Sequence, residues 1–203
     1  MLRWSALRAP EPAEPSTVHI VSQAPLRVLG IDPGGFVAGW GLIRQNGNKL
    51  SLEDCGTIRP PRRDDFPKRL RALHLALETI IEASRPDVVA VESVFFAKHP
   101  RAALQLGHVR GVLLLAAAQK DLEIFEYPPA TVKKAVTGNG RASKEQVRQM
   151  VAMLLGSEIK GAADKSDALA VAICHAHSGG FLSKLKELDP GPRRRRSNAR
   201  GSK

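Results

Sequence analysis

The segment Leu26-Arg-Val-Leu-Gly-Ile-Asp-Pro-Gly34 is a short apolar run that ends in an acid and a turn signal. Apolar residues dominate its first six positions, as in a β-strand, and Pro-Gly after Asp32 favours a turn. Residues 37–44 and 49–58 are also rich in strand-forming residues. The three segments together predict a meander of three strands, with Asp32 at the end of the first strand.

Helical patterns and short apolar runs alternate along the rest of the chain. A helix predicted over 66–84 has Asp64 or Asp65 as its cap, and the apolar run 87–92 that follows is typical of a strand covered on both faces. The remaining predicted elements are helices over 101–119, 130–136, 144–155 and 167–177 and a strand over 122–127. Since helices join the later strands, this order predicts an α/β fold, a mixed five-stranded sheet flanked by helices in a single domain.

The composition is that of a folded, basic protein with two extended ends. With 43% hydrophobic and 25% charged residues the chain can bury an ordinary core, which excludes wholesale disorder. Residues 1–25 are proline-rich and predict a flexible leader, residues 26–180 predict the folded domain, and residues 181–203 predict a basic flexible tail. That tail fits a solubilising end as well as an arm that touches DNA. The net charge of +11 favours a polyanionic partner, most simply a nucleic acid.

Two observations narrow the cellular setting. No run approaches the roughly 18 to 20 apolar residues of a membrane helix, so no membrane partner is expected. Cys55 and Cys174 are far apart and neither belongs to a CxxC pair, which argues against a disulfide framework or a structural zinc site. A cytoplasmic protein is therefore expected.

Four carboxylates stand where packing requires none. Asp32 and Glu92 end the first and fourth predicted strands, and Asp164 and Asp167 share one face at the start of the last helix. If those two strands are neighbours and parallel, Asp32 and Glu92 emerge at the same edge of the sheet. Such a cluster repels itself unless it holds a cation, and carboxylate oxygens favour Mg²⁺ or Mn²⁺. Two ions about 4 Å apart could activate a water and stabilise the leaving oxygen of a phosphodiester.

Each acid taken alone also has a structural interpretation. Asp32 before Pro-Gly is a good turn residue, and Asp164 or Asp167 is a good helix N-cap. Glu92 is harder to explain, because an ionised side chain beside a buried strand needs a partner. The hypothesis of a metal site therefore depends on the four acids together.

Several separated motifs carry a resemblance to a known family. They read Leu29-Gly-Ile-Asp-Pro-Gly34 with Gly39-Trp-Gly41, Val91-Glu-Ser-Val-Phe-Phe-Ala-Lys98, Leu106-Gly-His-Val-Arg-Gly111 and Ala163-Asp-Lys-Ser-Asp-Ala-Leu-Ala170. In order and spacing they resemble the RuvC family of Holliday junction resolvases, over about residues 26–178. Gly35 and Lys165-Ser166 depart from the family pattern, which has Ser or Thr at the first position and small apolar residues at the others.

The resemblance implies a ribonuclease H-like fold, a homodimer and a structure-specific endonuclease. Such an enzyme resolves Holliday junctions in homologous recombination and DNA repair by nicking two opposed strands, and it leaves 5′-phosphate and 3′-hydroxyl ends that a ligase can seal. It implies two Mg²⁺ ions per active site, replaceable by Mn²⁺, and the branch-migration proteins of the RuvAB complex as partners in the bacterial cytoplasm, at the nucleoid. The family's catalytic and metal-binding acids match Asp32, Glu92, Asp164 and Asp167.

The resemblance also implies residues that contact DNA. Lys133 and Lys144, which match the family's junction-contacting lysines, bracket a flexible basic loop that contains Arg141; a solvated helix face is the alternative. Phe95 matches the stacking residue of the family, and an aromatic there can stack on a base unpaired at the crossover. Phe96 is expected in the core.

Two functions of other classes stay open at this point. A junction- or RNA-binding module without catalysis would keep the basic surface, but the intact set of four acids argues against it. An actin-like phosphotransferase would need a second phosphate loop and an adenosine pocket, and the sequence has a signature of neither. Cleavage of a synthetic four-way junction with Mg²⁺, compared with duplex and single strand, separates the endonuclease from the other two functions.

Overall fold

The computed structural model describes residues 24–93, 100–159, 161 and 163–188, with side chains up to residue 178. The strands are β1 (Leu26–Pro33), β2 (Ala38–Asn46), β3 (Lys49–Ile58), β4 (Val88–Glu92) and β5 (Glu123–Tyr127). The helices are α1 (Phe66–Ser84), α2 (Pro100–Ala118), α3 (Pro129–Thr137), α4 (Lys144–Leu155) and α5 (Ala163–Leu188). This is the predicted order of elements. α5 is longer at both ends than the predicted helix, and its backbone runs through 181–188, a stretch predicted to belong to the tail.

The five strands form one mixed sheet in the order β3-β2-β1-β4-β5. β1, β2 and β3 are an antiparallel meander, and β4 and β5 run parallel to β1. In the ladder between β1 and β4, Ile31 lies opposite Val91. The prediction that the first and fourth strands are parallel neighbours is therefore confirmed.

Helices cover both faces of the sheet, which explains why β1 and β4 are nearly continuous apolar runs. Val28 and Ala90 face one core with residues of α3, α4 and α5, while Leu29 and Val89 face a second core with residues of α1 and α2. The alternation of side chains along each strand divides the apolar residues between the two cores. No helix in the described part of the chain is long and apolar enough to cross a membrane.

α5 lies unusually close to the centre of the sheet. A Cβ added at Gly30 of β1 would lie 2.1 Å from the carbonyl oxygen of Ala168, so only glycine fits between the strand and the helix. The helix residues 168–174 are almost completely buried against the strands. This close packing holds the amino end of α5 at one edge of the sheet.

Helix caps fix where α1 and α4 begin. The Asp65 carboxylate accepts a hydrogen bond of 3.0 Å from the Lys68 amide and caps α1, as predicted. Ser143 and Gln146 form a capping box, in which each side chain accepts from the other residue's backbone amide. α4 therefore begins at Lys144, which places this lysine at the amino end of the helix.

Candidate active site

Asp32 and Glu92 emerge side by side from the two central parallel strands. Each acid directly follows one member of the Ile31–Val91 pair. Both side chains are half-buried. The expected meeting of these two acids at one edge of the sheet is therefore observed.

The amino end of α5 lies over the same edge. Gly39 of β2 is the ladder partner of Asp32, and a Cβ added at Gly39 would lie 2.0 Å from the carbonyl oxygen of Asp164 and 3.1 Å from its Cβ. The absence of a side chain at Gly39 thus lets the helix that carries Asp164 and Asp167 approach the sheet beside Asp32. This role was not predictable from the sequence, because a lone glycine in a strand indicates a bulge or a close approach without identifying what approaches.

The electrostatics of Asp32 indicate that the other three acids lie close to it. Burial is the largest cause that raises the pKa of Asp32 to about 7. The next causes are the negative charges of Glu92, Asp167 and Asp164, in that order. Like charges of this kind disfavour ionisation, so the cluster needs positive charge to be fully ionised at neutral pH.

Two lysines bring positive charge to the cluster. The Nζ atom of Lys144 lies 3.5 Å from Oδ2 of Asp167, and the charge of Asp167 is the main cause that raises the pKa of Lys144. Burial and the charge of Asp167 raise the pKa of Glu92, while the charges of Lys144 and Lys133 oppose this shift. Lys144 thus lies beside Asp167, and the charges of both lysines act on Glu92.

The other sequence candidates lie in different settings. Arg141 is exposed in the loop between α3 and α4, where its backbone amide donates a hydrogen bond of 3.0 Å to Oδ1 of Asn139. Phe95 and Phe96 lie outside the described residues. His175 is buried and shares a hydrogen bond of 2.8 Å with the hydroxyl of Tyr127, which is a structural role.

The chemistry of the donors fits a hard divalent cation. Among the residues that the structure describes, no three histidine, cysteine or acidic side chains already stand in a geometry that would hold a metal ion. The cluster nevertheless offers carboxylate oxygens, which Mg²⁺ and Mn²⁺ prefer, and burial together with mutual repulsion raises the pKa of Asp32. A bound cation would relieve that repulsion.

The fold and the position of the acids define a class of protein. A mixed sheet in the order β3-β2-β1-β4-β5 with helices on both faces belongs to the ribonuclease H-like folds. In this sheet Asp32 and Glu92 lie at the ends of the parallel strands β1 and β4. Asp164 and Asp167 lie on α5, which packs against these strands. The acids thus lie at the carboxyl ends of the strands, where α/β folds place their functional sites.

Comparison with known proteins gives the family. The sequence profile described as "Crossover junction endodeoxyribonuclease RuvC" matches residues 28–175. The chain is 45% identical over 164 residues to the protein of that name from Geotalea uraniireducens, an alignment that covers 81% of this chain and 96% of the relative. It belongs to the RuvC family of crossover junction endodeoxyribonucleases. It is thus a nuclease, and enzymes of this family depend on a divalent metal ion.

Solved structures agree with this assignment. The RuvC structure from Thermus thermophilus superposes with a TM-score of 0.70 at 30% identity and covers 77% of this chain and 97% of that protein. The structure of Thermus thermophilus RuvC in complex with a Holliday junction substrate gives a TM-score of 0.70 at 28% identity, with coverage of 77% and 96%. The fold class predicted from the sequence is confirmed.

Proposed function

We propose that this chain resolves Holliday junctions by nicking two opposed strands, and that Asp32, Glu92, Asp164 and Asp167 are its catalytic and metal-binding residues. The main support for this proposal is that the four acids lie at the same edge of the sheet. Two of them end adjacent parallel strands, and the other two stand on the helix that packs over Gly39 at the same edge.

The acids would hold Mg²⁺, or Mn²⁺ in its place, as two ions per active site. Bound ions of this kind activate a water molecule and stabilise the leaving oxygen of a phosphodiester. The protein itself supplies a rigid frame: Asp32 and Glu92 are fixed at strand ends, and α5 is held against the sheet by close packing. Rigid elements keep ligands in place more accurately than loops do.

Positive charge beside the acids supports a role in DNA binding. Lys144 and Lys133 act electrostatically on Glu92, so a phosphate that reaches the acids would also meet both ammonium groups. The exposed Arg141 lies in the loop between the helices that carry them. We assign these three residues to the DNA backbone. Phe95 stays a predicted stacking residue at the crossover.

The exposed face of α2 supports a homodimer. Leu104 and Leu115 lie about three turns apart on this face and are 65% and 50% exposed. A Cβ added at Gly107 or Gly111 between them would meet nothing within 4 Å, so the surface is open to a second copy of the chain. Two opposed nicks need two active sites, which a twofold dimer supplies.

The double variant Leu104→Glu, Leu115→Glu should be a monomer in analytical ultracentrifugation, and its two nicks should no longer be coupled. A double variant that is still a dimer would contradict this interface.

From its family membership we further propose that this chain acts together with the branch-migration proteins of the RuvAB complex, at the bacterial nucleoid. A pull-down with purified RuvA and RuvB in the presence of junction DNA tests the partnership. Retention of the branch-migration proteins only when this chain is present is the expected result.

The decisive experiment compares DNA substrates. The chain is incubated with Mg²⁺ and a synthetic four-way junction, a linear duplex of the same sequence or a single strand. We expect symmetric nicks in the junction alone, and products that DNA ligase reseals. Equal cleavage of the linear duplex, or ends that ligase cannot join, would contradict the proposal.

A further inference from the structure

Phe36 is an exposed aromatic residue beside the acids. It is 68% exposed in the turn between β1 and β2, four positions after Asp32, and no other aromatic side chain that the structure describes is exposed. An exposed phenylalanine forgoes the stabilisation that burial of its ring would provide. The ring is therefore available to a ligand at the edge of the sheet where Asp32 lies.

Arg69 of α1 holds this ring in place. Its guanidinium carbon lies 4.7 Å from the centre of the Phe36 ring, and Nη2 donates a hydrogen bond of 3.3 Å to the carbonyl oxygen of Gly35. The same arginine thus fixes both the ring and the backbone of the turn. One face of the ring is covered by the guanidinium, and the high exposure leaves the rest of the ring open to a partner.

The sheet register brings a second loop to this edge. Asp32 lies opposite Gly39 in the first ladder, and Gly39 lies opposite Thr57 in the second. β3 ends at Ile58, so Arg59 and the loop that follows leave the sheet at the edge where Asp32 and the Phe36 turn also stand. The β3–α1 loop, residues 59–65, therefore flanks the turn.

The loop carries three arginines against two acids, Asp64 and Asp65. Arg59, Arg62 and Arg63 are exposed, and none of them forms an ion pair within the described part of the chain. Asp65 is engaged in capping α1 and in an ion pair of 3.2 Å with Lys68. An open aromatic ring next to unpaired arginines is the combination that binds single-stranded nucleic acid, since bases stack on the ring and phosphates pair with the cations.

We propose that Phe36 stacks on a base of the cleaved DNA strand and that Arg62 and Arg63 of the β3–α1 loop bind the phosphates that lead into it. This contact is separate from Lys133 and Lys144, which act on Glu92 and Asp167. It rests on the proposed function, because it concerns the DNA strand that reaches the acids.

The test uses a four-way junction with 2-aminopurine at the crossover, in protein that also carries Asp32→Asn so that the DNA stays intact. Phe36→Ala should weaken junction binding about 5- to 150-fold, as expected for the loss of one base stack, and remove the fluorescence quenching of 2-aminopurine. Phe36→Tyr should keep both properties. Met153→Ala, which removes another exposed apolar side chain at the carboxyl end of α4, is the control and should change neither.

The arginines are tested by the salt dependence of the same binding. Arg62→Ala and Arg63→Ala should each reduce the slope of log K against log salt by up to about 0.9 for each phosphate that the arginine no longer neutralises. Lys49→Ala removes an exposed cation at the opposite end of the sheet and should leave the slope unchanged.

Phe36→Leu keeps an apolar side chain over Arg69 without an aromatic face, and thermal melting reports whether each variant is folded. If Phe36→Leu or Phe36→Ala binds and quenches like Met153→Ala, the stacking role is wrong while the proposed function stands. If the parent protein itself shows no preference for the junction over linear duplex, the proposed function fails instead.

Discussion

The ammonium of Lys144 lies 3.5 Å from the carboxylate of Asp167, at the point where the amino ends of α4 and α5 meet. The capping box fixes the first residue of α4, so the position of this lysine follows from the backbone and not from a flexible loop. Its charge opposes the rise in the pKa of Asp32 and of Glu92. Lys144 therefore supplies part of the positive charge that the acid cluster needs.

Lys144→Ala should affect both the metal site and the DNA. In metal-free buffer the free energy of unfolding of the variant should be lower than that of the wild type by at most about 1 kcal/mol, because the ion pair is exposed. Mg²⁺ should stabilise the variant more than it stabilises the wild type. The slope of junction binding against salt should fall by up to about one unit, and cleavage should slow. Melting curves with and without Mg²⁺ and binding titrations measure these effects. A Lys144→Ala protein that behaves like Lys49→Ala in both assays would show that the ion pair has no role.

Gly39→Ala tests whether α5 must lie against β2. The added methyl would collide with the backbone of Asp164, so the amino end of the helix must shift. We expect a loss of about 1–3 kcal/mol in the free energy of unfolding and a smaller stabilisation by Mg²⁺, because the shift moves Asp164 away from Asp32. Gly35→Ala is the control, since a Cβ there meets nothing within 4 Å. If Gly39→Ala lost stability but kept the full Mg²⁺ response, the glycine would serve packing alone.

The local patterns in the sequence predict the elements and their order well. The Asp32 and Glu92 pair was predictable because each acid ends an apolar run, and parallel strands bring such ends to one edge. The contact of Phe36 with Arg69 was not, because it joins residues that are far apart in the chain and neither belongs to a periodic pattern. The full length of α5 was not predictable either: Gly179-Gly180 is typical of a helix end, yet the helix continues to Leu188.

His175 should make stability depend on pH. Burial lowers the pKa of this histidine below its ordinary value of 6.5, against an opposite effect of Glu123. The unfolded chain therefore binds a proton at a higher pH than the folded protein does. The contribution of His175 is complete above about pH 6.5 and is lost as the pH falls towards the lower folded pKa.

Melting of His175→Asn from pH 7.5 to 5 checks this dependence. The variant should be less stable at every pH, by about 1–3 kcal/mol, because the Tyr127 hydroxyl loses its buried partner. It should also lose less additional stability than the wild type as the pH falls. Parallel curves for His175→Asn and the wild type would contradict the assignment.

Asp32→Asn tests whether the four acids form one metal site that cuts junctions. The substitution removes one negative charge from the cluster while keeping the shape of the side chain, and Asp121→Asn changes an exposed acid outside the site as the matched control. Melting is compared with and without Mg²⁺, together with the rate of junction cleavage under single-turnover conditions.

Mg²⁺ at 100 times its dissociation constant should stabilise the wild type and Asp121→Asn by about 2.7 kcal/mol. Asp32→Asn should lose most of that response and nearly all cleavage, yet still bind the junction, and it should be at least as stable as the wild type without metal because the repulsion is relieved. An Asp32→Asn protein that cleaves junctions at the wild-type rate would contradict the account.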